Sequence, residues 1–318
     1  MVNFIIRRLI MAGVVLVIVS MLVFLAMRLL PGDPIRMLVT MGGQQEFSEE
    51  QIAEIRHQFG LDRPMFIQYL DWMGGLSHGD MGVSILTRSP VSEEIIRRIP
   101  ITFQLGLTAF VIGLLIGIPS GVICAVRRGR WIDTVVTTLA NLGITMPVFW
   151  LGILLIYLFG LQLNWLPVMG YTSPFTDLVA NIRGLIMPVI CLALFPIASQ
   201  ARQSRSSMLE VMRQDYIRTA WSKGLRERMV IIKHAMKNGL IPVITLSGIG
   251  LGMIIGGSVI VETVFNIPGM GRLAVTSIVE QDYPYVQGII LIVSAFVILI
   301  NLLVDVTYGW LDPRIRYG

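Results

Sequence analysis

Charge is scarce in this 318-residue chain, with Asp, Glu, Lys and Arg making up only 14% of it. A soluble domain carries about a quarter charged residues, so a water-facing surface over the whole fold is excluded. A soluble enzyme, a disordered tail and a nucleic-acid module go with it. Cysteine is scarcer: Cys124 and Cys191 both lie in apolar stretches, form neither a disulfide framework nor a metal spacing, and read as small buried hydrophobes. The three histidines, His57, His78 and His234, are scattered along the chain and offer no shared metal site. No Gly-Lys pair occurs anywhere, which excludes the phosphate-cradling G-x-x-x-x-G-K-[ST] loop. H-E-x-x-H is absent and no nucleophile–base set is recognised, so the chain reads as non-enzymatic, with no catalytic residue, metal or cofactor of its own.

What is abundant is apolar surface: 54% hydrophobic residues and a mean hydropathy of +0.74. A spanning helix needs about 20 mostly apolar residues to cross a hydrocarbon core of about 30 Å. Uncharged runs occur at 9–27, 101–126, 184–201, 238–261 and 283–304, and a sixth, 134–176, is too long for one helix. Its second half carries Asn164, Trp165, Pro167 and Gly170, which suit a loop at the interface. The fold class is therefore all-α and polytopic. An N-terminal helix occupies 1–30 and five further spans lie at about 101–126, 134–160, 184–203, 239–261 and 284–307. Arg7 and Arg8 also fit a signal peptide, but 19 uncharged residues exceed its usual apolar core of about 7–15 and favour a retained anchor.

Basic residues collect in cytoplasmic segments. Arg7 and Arg8 precede the first span, Arg127, Arg128 and Arg130 lie between the second and third, and residues 202–237 hold nine Lys/Arg against three acids. The alternate segments are acidic: 31–100 has ten acids against six bases, and 262–282 three against one. Arg314 and Arg316 follow the last span. Both termini, with 311–318 as a C-terminal tail, are expected in the cytoplasm.

Residues 31–100 are too polar to enter the membrane and predict a small external helical segment. Ser48 and Gln51 form a capping box, followed by Ile52, Ile55 and Phe59 at helical spacing. Pro64 opens a second helix with Phe66, Tyr69, Leu70 and Met73 along one face. A third, short helix is expected to start at Ser92 and stop before Pro100. Two roles stand for the segment: a structural plug or lid, and a docking surface for an external partner.

Between the fourth and fifth spans, residues 208–238 alternate basic and apolar positions, with Val211, Ile217, Ala220, Trp221, Leu225, Val230 and Ile231 suggesting short helices. Gly224 is the expected pivot, because glycine adopts positive φ at little cost. By charge alone this is a positive-inside loop touching anionic lipid headgroups.

Its residues say more. Asp215-Tyr216-Ile217-Arg218-Thr219-Ala220, Lys223-Gly224-Leu225 and Lys233-His234-Ala235-Met236-Lys237-Asn238 resemble the coupling motif of ABC-importer permeases, in the dipeptide/oligopeptide/nickel branch. The superfamily pattern begins Glu-Ala-Ala where this chain has Arg218-Thr219-Ala220, and carries proline where it has Lys237. Arg7-Arg8-Leu9 with Leu30-Pro31-Gly32-Asp33-Pro34 resembles the first of the two permeases in such systems. Phe59-Gly60-Leu61-Asp62-Arg63-Pro64, Gly79-Asp80-Met81-Gly82, Arg127-Arg128-Gly129-Arg130-Trp131, Val261-Glu262-Thr263-Val264-Phe265, Pro268-Gly269-Met270-Gly271 and Leu311-Asp312-Pro313-Arg314 continue the likeness.

The resemblance implies a type I ABC-importer transmembrane domain over 101–310, in the cytoplasmic (inner) membrane of a prokaryote. Its implied partners are a second homologous permease, two ATPase subunits that bind ATP-Mg, an external substrate-binding protein and membrane lipid, without nucleic acid. Di- or oligopeptides are the implied substrate, with nickel chelates or glutathione as alternatives. A stand-alone secondary transporter or channel is the rival class, although no 3+3 internal repeat is visible. ATPase coupling falls by resemblance to Asp215, Tyr216, Arg218, Thr219, Ala220, Lys223 and Gly224, with Ala220 and Gly224 allowing close approach of the partner. Candidates for the translocation path are Asn141, Thr145, Thr245, Ser247, Ser258 and Glu262. The glycines of the fifth span serve either close helix packing or a channel lining. Asp305, in the last span, pairs with a basic group or meets substrate.

Overall fold

The computed structural model describes residues 2–41, 48–252 and 254–311. The chain folds as two compact units, one from Met1–Thr102 and Pro268–Leu299, the other from Phe103–Ile267 with the helical continuation from Ile300. In chain order the helices are α1 (Val2–Leu29), α2 (Pro34–Met41), α3 (Glu49–Gln58), α4 (Met65–Ser77), α5 (Val91–Val126), α6 (Trp131–Thr145), α7 (Val148–Gln162) and α8 (Leu178–Val211). They continue as α9 (Asp215–Ser222), α10 (Glu227–Gly239), α11 (Ile241–Gly252), α12 (Ile254–Val264), α13 (Met270–Val279) and α14 (Tyr283–Leu311). Among the described residues, four helices are long and apolar enough to cross a membrane, or six if each of two bent pairs counts as one span.

In the first unit the capping box forms as the sequence predicts: Ser48 Oγ accepts from the Gln51 N–H and Gln51 Oε1 accepts from the Ser48 N–H. Pro64 caps α4 rather than entering it. The face of α4 that packs differs from expectation. Tyr69 and Trp72 lie against Phe24 of α1, with ring centroids 5.3 and 6.2 Å away, whereas Phe66 and Leu70 are exposed. Arg28 fixes the same junction, its Nε donating to Gln68 Oε1 at 2.9 Å and its guanidinium lying over the Phe24 ring. Below them Val23, Met27, Ile35, Ile52, Ile85, Tyr283 and Val286 form one buried cluster. The expected break before Pro100 is absent: α5 runs unbroken from Val91 through Pro100. Proline withholds one N–H from the helix, and the loss is carried by a segment whose Val91 and Ile95 are buried against Met270 and Ile289.

In the second unit the expected span 134–160 is two helices, α6 and α7, meeting at 103°. Pro147 cannot donate a backbone hydrogen bond, and Met146 before it is extended at φ −71°, ψ 126°. The expected span 239–261 is described as α11 up to Gly252 and α12 from Ile254, residue 253 lying outside the described residues, and α10 meets α11 at 49°. By contrast α8 runs 34 residues through Pro188 and Pro196. It lies against α5 along a glycine stripe. A Cβ on Gly117 would stand 2.6 Å from the Ile197 carbonyl oxygen, and one on Gly121 2.3 Å from that of Ala201.

Candidate functional site

The basic segment after α8 folds back on the unit that carries it. A turn at Met212–Gln214 leads into α9, which presents two unlike faces. Ile217 and Ala220, three residues apart and so on one side of the helix, are 1% and 6% exposed. They pack with Val122 and Ala125 of α5, Met208 of α8, and Val230 and Ala235 of α10. Asp215, Tyr216, Arg218, Thr219, Trp221, Ser222 and Lys223 all face outward. Asn238 Nδ2 donates to the Tyr216 hydroxyl at 2.9 Å, tying the start of α9 to the end of α10.

Gly224 separates the two helices at φ 70°, with no atom of the described residues within 4 Å of where a Cβ would lie. It supplies a left-handed turn, not a tight packing contact. Gly239 has the packing role instead: its absent side chain leaves room for Met208, whose sulfur would lie 2.7 Å from a Cβ. Ala220 packs closely within its own chain, against the helices of that buried cluster.

The ion pair at Asp215 and Arg218, 3.5 Å apart, is fully in solvent and contributes little. Thr219 and Ser222 donate to the carbonyls one turn back, those of Asp215 and Arg218. The Lys223 ammonium has no ion pair among the described residues. The outward face is thus a short, two-ended polar ridge with Tyr216 and Trp221 as its apolar elements.

Of the path candidates whose side chains are described, only Asn141 lies in the wall of the main cleft. Asn141 lines a cleft of about 590 Å³ between the ends of α5, α6 and α8, while Thr145, Ser247, Ser258 and Glu262 are not in its walls. Thr145 donates to the carbonyls of Asn141 and Leu142, and Ser247 to that of Val243 at 2.8 Å. Ser258 and Glu262, one turn apart on α12, are fully buried. The Thr245 side chain lies outside the described residues. Asp305 is half-buried on α14.

Three features escaped the sequence reading. Asp133 and Arg205 join α6 to α8 by two hydrogen bonds of 2.7 and 2.9 Å. Gln104, Tyr171 and buried Asn181 form a connected polar network, with Tyr171 Oη donating to Gln104 Oε1 and Gln104 Nε2 to Asn181 Oδ1, each at 2.7 Å. The stripe of Gly113, Gly117 and Gly121 did carry a legible signal, a doubled G-x-x-x-G in an apolar run. One spacing also runs against the absence of a nucleophile–base set: Gly75-Leu76-Ser77-His78-Gly79 is G-x-S-x-G. It closes helix α4 instead of joining a strand to a helix, and Ser77 Oγ donates to the Gly74 carbonyl at 2.7 Å, so the nucleophile-elbow geometry is missing.

Comparison with known proteins agrees with this architecture. The family described as binding-protein-dependent transport system inner membrane component matches residues 117–317, and its companion N-terminal membrane-component family matches 1–106. A putative peptide transport system permease protein of Brucella abortus (strain 2308) is 46% identical over 314 residues, 98% of each chain. The dipeptide transport system permease protein DppB of Escherichia coli K12 is 39% identical over all of this chain and 99% of its own length. The di/tripeptide transport system permease protein DppB of Pseudomonas aeruginosa UCBPP-PA14 is 39% identical over the same shares of the two chains. An inward-facing structure of the MetNI methionine ABC transporter shares the fold, with a TM-score of 0.56 at 17% identity over 69% of this chain and 96% of that one. With a span bent before Pro147, a two-faced helix just beyond α8, and relatives alike from end to end, the chain belongs to the binding-protein-dependent transport system inner membrane component family.

Proposed function

We propose that the chain is one of two permease subunits that together form the membrane pathway for di- or oligopeptides handed over by an external binding protein. The names of the full-length relatives support a peptide substrate over nickel chelates or glutathione. The distribution of basic residues supports both termini and α9 on the cytoplasmic side, with residues 31–100 outside.

The observation that carries the reading is the seating of α9. An eight-residue helix about 12 Å long is held by Ile217 and Ala220 on the ends of α5 and α8, so displacement of its outer face is transmitted to the spans. Asp215 near its start and Lys223 at its end suit the helix dipole and leave Tyr216, Thr219, Trp221 and Lys223 to meet an ATPase groove. ATP-Mg is held by those partner ATPases, and this chain contributes the docking face. Single cysteines at Thr219 or Lys223 in an actively transporting complex test the assignment. Crosslinking to a nucleotide-hydrolysing subunit is expected, and consistent failure to capture one overturns it. Retained peptide uptake by the same cysteine variants, competed by unlabelled dipeptide but not by nickel, tests the substrate class.

A further inference from the structure

The cleft at the ends of α5, α6 and α8 has walls whose charge the coupling role does not use. Four arginines line it, Arg128, Arg202, Arg205 and Arg213, against one acid, Glu210. Arg205 is already neutralised by Asp133. Arg128, Arg202 and Arg213 are exposed and have no ion pair among the described residues. Three guanidinium forks, each matching two oxygens of a phosphate, thus surround one space of about 590 Å³. Val136 and Leu209 give the same cleft an apolar wall, which a bare inorganic ion does not need and an acyl-linked headgroup does.

We infer that this cleft binds a phosphate-bearing anion, supplied either by the headgroup of an anionic phospholipid or by free phosphate. The inference rests on the orientation proposed above, which sets the cleft at the inner leaflet, where basic pockets between helices attract acidic headgroups. Gln214, in the cleft wall, is the residue that caps α9, so the occupant touches the start of the docking helix.

The test uses the full chain in mild detergent, exposed to vesicles of equal phosphatidylglycerol and phosphatidylcholine and then weighed intact by native mass spectrometry. The wild type is expected to retain phosphatidylglycerol selectively. The triple variant R128Q/R202Q/R213Q, which keeps the Asp133–Arg205 pair, is expected to lose more than about tenfold in retention, since about tenfold is the scale of a single charge-assisted contact. E210Q removes the opposing carboxylate and is expected to retain more. Inorganic phosphate that displaces the lipid from the wild type assigns the site to the phosphate group itself. Retention that resists phosphate yet falls in the triple variant assigns it to the intact lipid. Equal retention by wild type and triple variant, or of the two lipids by the wild type, overturns the inference. The readout needs neither transport nor ATPase. A failure of the permease reading therefore leaves it unchanged and shows instead as lost crosslinking at Thr219 and Lys223.

Discussion

Asp133 and Arg205, 72 residues apart, meet side on: Nε of the arginine donates to one carboxylate oxygen at 2.7 Å and its second nitrogen to the other at 2.9 Å. The same carboxylate accepts the Gly129 N–H at 3.0 Å, so one side chain holds the turn before α6, the first turn of α6, and α8. A bidentate pair with a 7%-exposed carboxylate is far better placed than a surface bridge.

Asp133→Asn is expected to cost about 1.5–3 kcal/mol, the range for hydrogen bonds to a charged group. Thermal unfolding of the purified chain should shift down accordingly. An unchanged midpoint in D133N means the clamp does not hold the helices together.

Gly121→Ala is expected to destabilise the chain by about 1–3 kcal/mol, the usual cost of overpacking. Its new methyl group would stand 2.3 Å from the Ala201 carbonyl oxygen and 2.6 Å from Ser204 Cβ, and backbone cannot swing aside. Gly256→Ala provides the contrast, since nothing among the described residues lies within 4 Å there. Yield and unfolding midpoint of the two variants, compared in one detergent, check the difference.

On α9 the two faces should separate folding from coupling. Ala220→Glu puts a carboxylate into the cluster with Val122 and Met208, so loss of folded chain is expected. Thr219→Glu changes only the exposed face and is expected to leave the chain folded while lowering transport per ATP hydrolysed several-fold. Size-exclusion profiles and coupled uptake–hydrolysis assays distinguish the two. Normal coupling in T219E would remove α9 from the docking face.

In the polar segment between α1 and α5, His57 Nδ1 and Asp62 Oδ2 lie 2.6 Å apart. The hydrogen bond to Asp62 raises the His57 pKa above its ordinary 6.5, and the reciprocal bond lowers that of Asp62 below 3.8. The histidine contribution is complete below its unfolded pKa and is lost as pH rises through the raised folded value. The aspartate contribution is complete above its unfolded pKa and is lost as pH falls through the lowered one. The α3–α4 turn should therefore be best protected between these limits. Protection of the amides of residues 57–64, taken relative to their intrinsic exchange rates, should fall above neutrality in the wild type and show no such fall in His57→Gln.

Local chemistry was legible in this chain wherever a residue acts through its own backbone. Ser48 and Gln51 cap α3 because their spacing closes two hydrogen bonds within one turn. Gly224 pivots because its φ of 70° suits a residue without a Cβ. Pro147 interrupts its helix through its own backbone chemistry, but the size of the bend, 103°, depends on what α7 packs against, and Gly152 of α7 sits under Val264 and Phe265. Pro100 carries the same chemistry and breaks nothing: α5 stays helical through it, with Val91 and Ile95 of the same segment buried against neighbours.

The amino-acid order by itself determined the class of this protein: too little charge for water, apolar runs of spanning length, and a basic segment with a glycine pivot. Those are properties of composition and period, which survive without knowledge of any neighbour. Only the tertiary structure decided that Ala220 faces inward and Thr219 outward, that the G-x-x-x-G stripe receives α8, and that Asp133 finds Arg205. Each of these depends on which surfaces meet, and close approach between distant segments is set by packing across space rather than by spacing along the chain.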